Sequence, residues 1–568
     1  MQSKPRRKSV LYWTKRIGGL FLLVLLLLVV LFFLQIQIQS PEVDESILDR
    51  ERIETPSGDY QLGSNFARKS NHGFYEVYIE GEAFERGVAY GKLLAEPIER
   101  QEDHFVGQVE KLVPSAIWRN TLKYLIAFFN SELPEYIPYE YQKEVYGVSR
   151  SFPDKYDHIG PKYYRILNYH AAHDIGHALQ EYNMVGCTSF ALKDAYTEGG
   201  GLLIGRNFDF YLGDEFAEDK VLTVVRPDSG YQLAMFSWAG LMGVVSGMNE
   251  VGLTVTINAA KSALPTGAKD PISLLAREIL QYASTIEEAN AIAQKREVFV
   301  SESILVGSAK EHRAAIIEKA PHQMGQYDPS SPVLLCSNHY QSEPFLHDSV
   351  NILNKRFSDS FHRYKRTSDL VEASKPLSPA GASQILRDVL DTNERFVGWG
   401  NPKSINQFIA HHSVIFQPEK GLMWISAPPY QLGTYICYDL NRIFKAENPS
   451  LGQSWTDSTQ TIAADSLGFS DEFLNFQQVW KPIKKQIFDY TRIGIPFVLT
   501  ADLEAKFIAA NEESYITYMT LGEYYQEREE FEKAVGFFHQ ALTKSVASEE
   551  EERIIKGNLA ACERELNQ

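Results

Sequence analysis

The amino-acid sequence predicts an α+β protein: two β-sheets with helices outside them, an N-terminal membrane-spanning helix ahead of them and a helical segment behind. Three observations carry this. An uncharged stretch runs from Ile17 to Pro41, with FLLVLLLLVVLFFL at its centre, and roughly 20 apolar residues cross a bilayer core. From Cys187 the texture changes to short alternating apolar runs broken by Gly-rich or Asp/Gly turns, then helices, then strands again, the pattern of sheets packed under helices. Near the C-terminus, Tyr518-x2-Leu521-Gly522-x2-Tyr525 and Ala534-x3-Phe538-x2-Ala541 follow the tetratricopeptide spacing.

Taken in order, residues 1–41 form a basic tail and the apolar helix. Lys4, Arg6, Arg7, Lys8, Lys15 and Arg16 precede the apolar run, so the N-terminus is expected in the cytoplasm and the remainder outside. A cleaved signal peptide is the rival reading, but its apolar region would be ~7 to 15 residues long and end in a small-x-small site. Residues 42–186 read as a polar stretch to about Ser70, the strand FYEVYIEG and then mostly helical text beginning AFERGVAYGKLL. Residues 187–445 hold the strands CTSFALK, GLLIGRNFDF, KVLTVVR, YQLAMFSW, MGVVSGM and GLTVTIN, two helices, the strands SESILVGS, RAAIIEK and PVLLCSN, helices near 350–394, and the strands HSVIFQ, GLMWISA and TYICYDL. Residues 446–500 read as a linker with a helix, and 501–568 as tetratricopeptide-like helices. One repeat plus the helix Glu550–Leu566 is too little for an autonomous solenoid, so packing on the larger body is expected.

Composition removes several function classes. The net charge is -17, which repels phosphates, and no basic stripe with interleaved aromatics offsets it, so nucleic acid is not an expected partner. Cys187, Cys336, Cys437 and Cys562 are widely spaced without a CxxC, which argues against a disulfide framework or zinc knuckle. No His or carboxylate set has metal-ligand spacing, and neither a metal nor a cofactor is expected. His339 and the pair His411-His412 could invite a cysteine-histidine protease reading, but no papain-type flank surrounds Cys187, so they are read as structural.

A lone strand cysteine is ordinarily a small buried hydrophobe; the neighbours of Cys187 change that. Gly186-Cys187-Thr188-Ser189-Phe190 is followed, after EGGG, by Gly205-Arg206-Asn207-Phe208-Asp209-Phe210. If these are two strands of one hairpin, Arg206 and Asp209 return beside the thiol, where a cation favours the thiolate and a carboxylate accepts from an amine. The bland alternative is an ion pair between Arg206 and Asp209 alone.

The residues GCTSF, GRNFDF, SWAGLMGVVSGMNEVGLTVTIN and SNHY, with GEAFERGVAYGKLL upstream, resemble the linear-amide branch of the N-terminal-nucleophile (Ntn) hydrolases. That branch holds the families of acyl-coenzyme A:6-aminopenicillanic acid acyltransferase, acid ceramidase and choloylglycine hydrolase. The similarity runs from about Glu76 to Leu440. It implies a four-layer αββα fold, autocleavage between Gly186 and Cys187, and attack of the freed Cys187 on an amide carbonyl. It further implies Arg206, Asp209 and Arg363 as supporting groups, with Asn258 and Asn338 as oxyanion donors. Each has an ordinary reading too: the asparagines as turn or strand-end residues, and Arg363 as part of a solvated basic helix face. Chemically the scheme is coherent, because cutting at Gly186 converts an amide nitrogen into an amine of pKa ~7.7 to 8, so the nucleophile carries its own base. The implied substrate is a small-molecule or lipid N-acyl amide, hydrolysed or passed to an amine acceptor. A different class also fits parts of the chain: a catalytically silent membrane-tethered scaffold that binds a protein through its C-terminal repeat.

Overall fold

A computed structural model of the protein describes residues 7–178, 185–262, 267–447 and 449–568. Its strands are β1 (Ile53–Glu54), β2 (Tyr60–Leu62), β3 (Asn65–Lys69), β4 (Tyr75–Gly81), β5 (Thr188–Leu192), β6 (Leu203–Asp209), β7 (Lys220–Pro227), β8 (Leu233–Trp238) and β9 (Ser246–Asn249). They continue with β10 (Leu253–Ala259), β11 (Glu302–Ser308), β12 (Arg313–Ala320), β13 (Gln323–Tyr327), β14 (Val333–Cys336), β15 (Ala410–Gln417), β16 (Leu422–Ser426) and β17 (Tyr435–Asp439).

These strands make two sheets. The larger has eleven strands in the order β1-β2-β3-β4-β7-β8-β9-β10-β11-β12-β13, and the smaller has six in the order β14-β5-β6-β15-β16-β17. Neighbours pair antiparallel except β4 with β7, which run parallel with Tyr75 opposite Val221 and Gly81 opposite Pro227. Alternation along the strands explains the stacking, since successive side chains leave opposite faces. Leu222, Val224, Ala234, Phe236 and Met248 of the large sheet meet Ile204, Val414, Phe416, Ile425 and Ile436 of the small one in a single buried layer. The other face of the large sheet, with Val221, Val225, Met235, Val255 and Ile304, packs on the helices Ala83–Leu93, Tyr139–Ser149, Ile272–Tyr282 and Ile286–Lys295. The outer face of the small sheet, with Phe190, Leu203, Ile415 and Trp424, is covered by the helices Ser360–Ser374 and Pro379–Arg387. The layers therefore run helix, sheet, sheet, helix.

The segment 42–186 holds more than helices. Its polar opening carries β1, β2 and β3, whose mixed exposure gives no clear alternation to read, and β4 lies inside the large sheet. The Gly-rich turn between β5 and β6 uses Gly199 and Gly200 at φ of +80° and +77°, a left-handed backbone that costs glycine nothing sterically. Beyond residue 446, Phe473, Phe476, Trp480, Phe507, Leu521 and Phe538 share a core with Trp399, Phe408 and Leu432. The helices Tyr515–Glu527 and Phe531–Thr543 form a hairpin there, followed by Glu549–Leu566. At the other end, Lys15–Gln35, with a mean hydropathy of 3.3, has the length and composition of a membrane span or a signal sequence, and among the described residues it is the one helix that does.

Candidate active site

Cys187 sits at the head of β5, buried to 1% exposure. The hairpin register places Thr188 opposite Asn207 and Ser189 opposite Arg206, and the Gly186 N–H donates to the Asp209 carbonyl at 3.1 Å. The Cys187 Sγ then lies 3.9 Å from that same carbonyl oxygen and 3.9 Å from Arg206 Nη2. The guanidinium of Arg206 spans the gap between the sheets. It donates to the Val245 carbonyl at 2.8 Å, to Ser246 Oγ at 2.5 Å and to the Ile257 carbonyl. It is held by backbone acceptors of the facing sheet, and no Arg206–Asp209 ion pair occurs among the described residues.

Arg363, on the helix Ser360–Ser374, reaches the same strand head from the other side. Its Nη1 donates to the Cys187 carbonyl at 2.6 Å and to Thr188 Oγ1 at 3.1 Å, while Nη2 donates to Asn338 Oδ1 at 2.8 Å and to Asp359 Oδ2 at 2.9 Å. Asn338 is thus joined to the site through Arg363, and its own amide donates to the Ala259 carbonyl at 2.8 Å. Asn258 accepts from Ser189 Oγ at 2.8 Å and donates to the Cys336 carbonyl at 3.2 Å. Both asparagines lie around β5, yet in the intact chain their amide hydrogens are directed at backbone carbonyls.

Electrostatics in the uncut chain differ from the sequence expectation of a thiolate. Burial pushes the Cys187 thiol up to about 11, against the opposing pull of Arg206; desolvation outweighs the cation because no water reaches the sulfur. Burial likewise pushes the Asp209 carboxyl up to about 8, with Arg363 and Arg206 pulling it down. Among the described residues its Oδ1 has no hydrogen-bond partner. His411 and His412 are buried, and desolvation drives both well below the usual imidazole range. They are nevertheless close to the site: His412 Nε2 shares a 2.8 Å hydrogen bond with Ser246 Oγ, which also accepts from Arg206. No three His, Cys, Asp or Glu side chains gather to hold a metal ion among the described residues.

One neighbour of the Gly186-Cys187 bond escaped sequence reading. Gln407 Nε2 donates to the Gly186 carbonyl at 2.7 Å. It lies in an irregular loop, 221 positions from Gly186 in the chain, with no motif around it; the one trace in the sequence is the demand for glycine at 186. A Cβ there would stand 2.5 Å from Gln407 Nε2.

Two facing sheets under helices, with a cysteine heading a strand of one sheet beside two buried arginines, define an Ntn-hydrolase-like α+β protein. Residues 196–429 match the family model described as acyl-coenzyme A:6-aminopenicillanic acid acyl-transferase. That segment is therefore similar to the linear-amide Ntn group that the motifs resemble. Arg206, Asp209, Asn258, Asn338 and Arg363 fall inside the match, and Cys187 lies just before it. Among curated relatives, an uncharacterized protein of Archaeoglobus fulgidus is 24% identical over 340 residues, covering 53% of this chain and 55% of the relative. Protein dcd1A of Dictyostelium discoideum is 24% identical over 239 residues, covering 38% of this chain and 51% of the relative. The chain spans about half the length of these relatives. Among solved structures, a Caenorhabditis elegans N-acylethanolamine-hydrolyzing acid amidase ortholog aligns at 16% identity and a TM-score of 0.30, over 41% of this chain and 93% of that one. A conjugated bile acid hydrolase from Clostridium perfringens aligns at 13% identity and a TM-score of 0.32, over 48% and 95%.

Proposed function

We propose that the protein is a membrane-anchored, self-cleaving cysteine hydrolase or acyltransferase acting on linear N-acyl amides. The observation that carries this reading is the placement of the Cys187 thiol beside Arg206 and directly after a glycine carbonyl that is already hydrogen-bonded by a side-chain amide. Cleavage at Gly186 would supply the α-amine of Cys187 as base, and attack of the thiol on an amide would give an acyl-thioester that water or an amine then resolves. In that state Asp209, whose Oδ1 has no partner among the described residues, would accept from the new amine. Asn258 and Asn338 are the donors proposed for the substrate oxyanion, which requires their amides to leave the carbonyls they now hold.

The acyl group would enter beside Phe210 and Trp238. These rings line an apolar cavity of about 40 Å³ with Ile98, Phe105 and Tyr169, far below the ~300 Å³ or more of a working ligand pocket. The helices Ala95–Leu112 and Lys162–Ala178 cap it, so opening would follow cleavage. Residues 179–184, which lead to the cut and were expected to cover the site, lie outside the described residues. The span Lys15–Gln35 would hold the enzyme at a membrane with the catalytic body on the extracytoplasmic side, close to lipid amides. The C-terminal hairpin is proposed as a single tetratricopeptide-like unit packed on that body.

The test is direct. Purified protein should yield two fragments, the larger beginning at Cys187, and should release acid from members of an N-acyl amide panel read by mass spectrometry. An active preparation that remains one chain would overturn the mechanism.

A further inference from the structure

The loop before β15 carries Gln407, buried to 3% exposure, and among the described residues its amide is the one side-chain donor to the Gly186 carbonyl. That oxygen is where negative charge develops when Cys187 Sγ attacks the Gly186 carbon. The same amide nitrogen lies 3.5 Å from Asp209 Oδ2, while the Gly186 N–H is tied to the Asp209 carbonyl. Gly186 is therefore held through both its N–H and its carbonyl, with a donor already aimed at the oxygen of the bond to be cut.

What holds Gln407 comes from beyond residue 446. Its neighbour Phe408 has φ +54°, a left-handed conformation that costs a bulky residue of order 1 to 2 kcal/mol unless packing imposes it. The Phe408 ring packs on Phe473 and Phe476 at centroid distances of 5.2 and 5.7 Å. The Trp399 N–H donates to Asn511 Oδ1 at 2.8 Å, and Asn511 Nδ2 donates back to the Trp399 carbonyl at 3.0 Å. Asn401 Nδ2 donates to the Ser545 carbonyl at 2.9 Å. Helices outside the matched family segment and the turns that follow them thus clamp the loop at three points.

We propose that Gln407 is the oxyanion donor of chain cleavage and that the C-terminal helices serve maturation by holding it there. This rests on the self-cleavage reading above. The thiol adds to the Gly186 carbon as Gln407 stabilises the oxyanion. The Gly186–Cys187 C–N bond then breaks, the thiol proton passes to the departing amine, and water hydrolyses the thioester to a Gly186 carboxylate and a free thiol.

The experiment follows full-length precursor after synthesis by gel and N-terminal sequencing. Gln407→Met keeps the length without a donor, and Gln407→Glu keeps the shape without N–H groups. Either variant, shown folded by a cooperative thermal transition, should lengthen the cleavage half-time ~100- to 1000-fold, the usual cost of one oxyanion donor. Hydroxylamine, which intercepts a thioester, should release a fragment ending in a Gly186 hydroxamate from wild type and not from these variants. Phe476→Ala, remote from the bond, should slow cleavage about tenfold by loosening the loop. A folded Gln407→Met or Gln407→Glu chain that matures within threefold of wild type overturns the proposal. A wild-type chain that never cuts at Gly186 overturns instead the reading on which it rests.

Discussion

Arg363→Ala is the most informative single perturbation of the site, because the guanidinium is buried to 1% exposure and nearly every donor is used. It bonds the Cys187 and Pro402 carbonyls, Thr188 Oγ1, Asn338 Oδ1 and Asp359 Oδ2. Removing it strands the Asp359 carboxylate and leaves two backbone carbonyls without this partner. Breaking one side of a buried ion pair costs ~3 to 5 kcal/mol, and a buried unsatisfied acceptor adds ~1 to 3 kcal/mol where water cannot enter. Asp359 keeps 19% side-chain exposure, so water relieves part of this and a total of ~3 to 5 kcal/mol is expected. At ~2 to 4 °C per kcal/mol for a large domain, the melting temperature should fall by roughly 6 to 20 °C. The measurement is best made in a Cys187→Ala background, which keeps every chain uncut and leaves the Cys187 carbonyl in place. Arg363→Lys keeps the charge but not the planar fork, and should lose about half as much. A Cys187→Ala/Arg363→Ala protein within 1 kcal/mol of its parent would show that the network does not hold the head of β5.

Three further outcomes are expected. Cys187→Ala should remain a single inactive chain on a gel, and fragments persisting in that variant would implicate an outside protease. Asp209 has its folded pKa raised from 3.8 to about 8, so the stability that its neutral carboxyl contributes is full below pH ~4 and is lost as pH rises to 8, at roughly 1.4 kcal/mol per unit as an upper bound. Asp209→Asn, in the Cys187→Ala background, should accordingly gain stability over its parent between pH 5 and 8 in thermal melts; a constant difference would contradict the buried carboxyl. Finally, β4, on the N-terminal side of the proposed cut, pairs with β7 along seven residues, and buried Glu76 accepts from Tyr438 Oη across the same divide. Carbonate washing of membranes should therefore leave the Cys187-containing fragment bound, and denaturant should release it; release in mild buffer would show that this pairing does not hold the fragments together.

Much of the architecture was legible because it is local. The β5–β6 hairpin follows from two apolar runs around EGGG, and its register alone carries Arg206 back to Ser189, beside the thiol. The apolar helix is set by composition, and the C-terminal hairpin by helical spacing. What the sequence could not supply depends on distance along the chain and on exclusion of water. Burial, which no motif encodes, turned the expected Cys187 thiolate into a thiol held up to about 11. β1 to β3 were hidden because short strands with mixed exposure lack a two-residue period. The placement of β4 beside β7 was hidden because parallel pairing joins segments 146 positions apart, as between Tyr75 and Val221. Among the described residues Asn338 is joined to Cys187 through Arg363, and Gln407 meets Gly186 from a loop whose Phe408 packs on remote helices. Sequence by itself determined the β5–β6 hairpin and singled out Cys187 as the candidate nucleophile. Tertiary structure decided which donors face which carbonyl, because a hydrogen bond needs about 3 Å and that precision comes only from packing the whole chain.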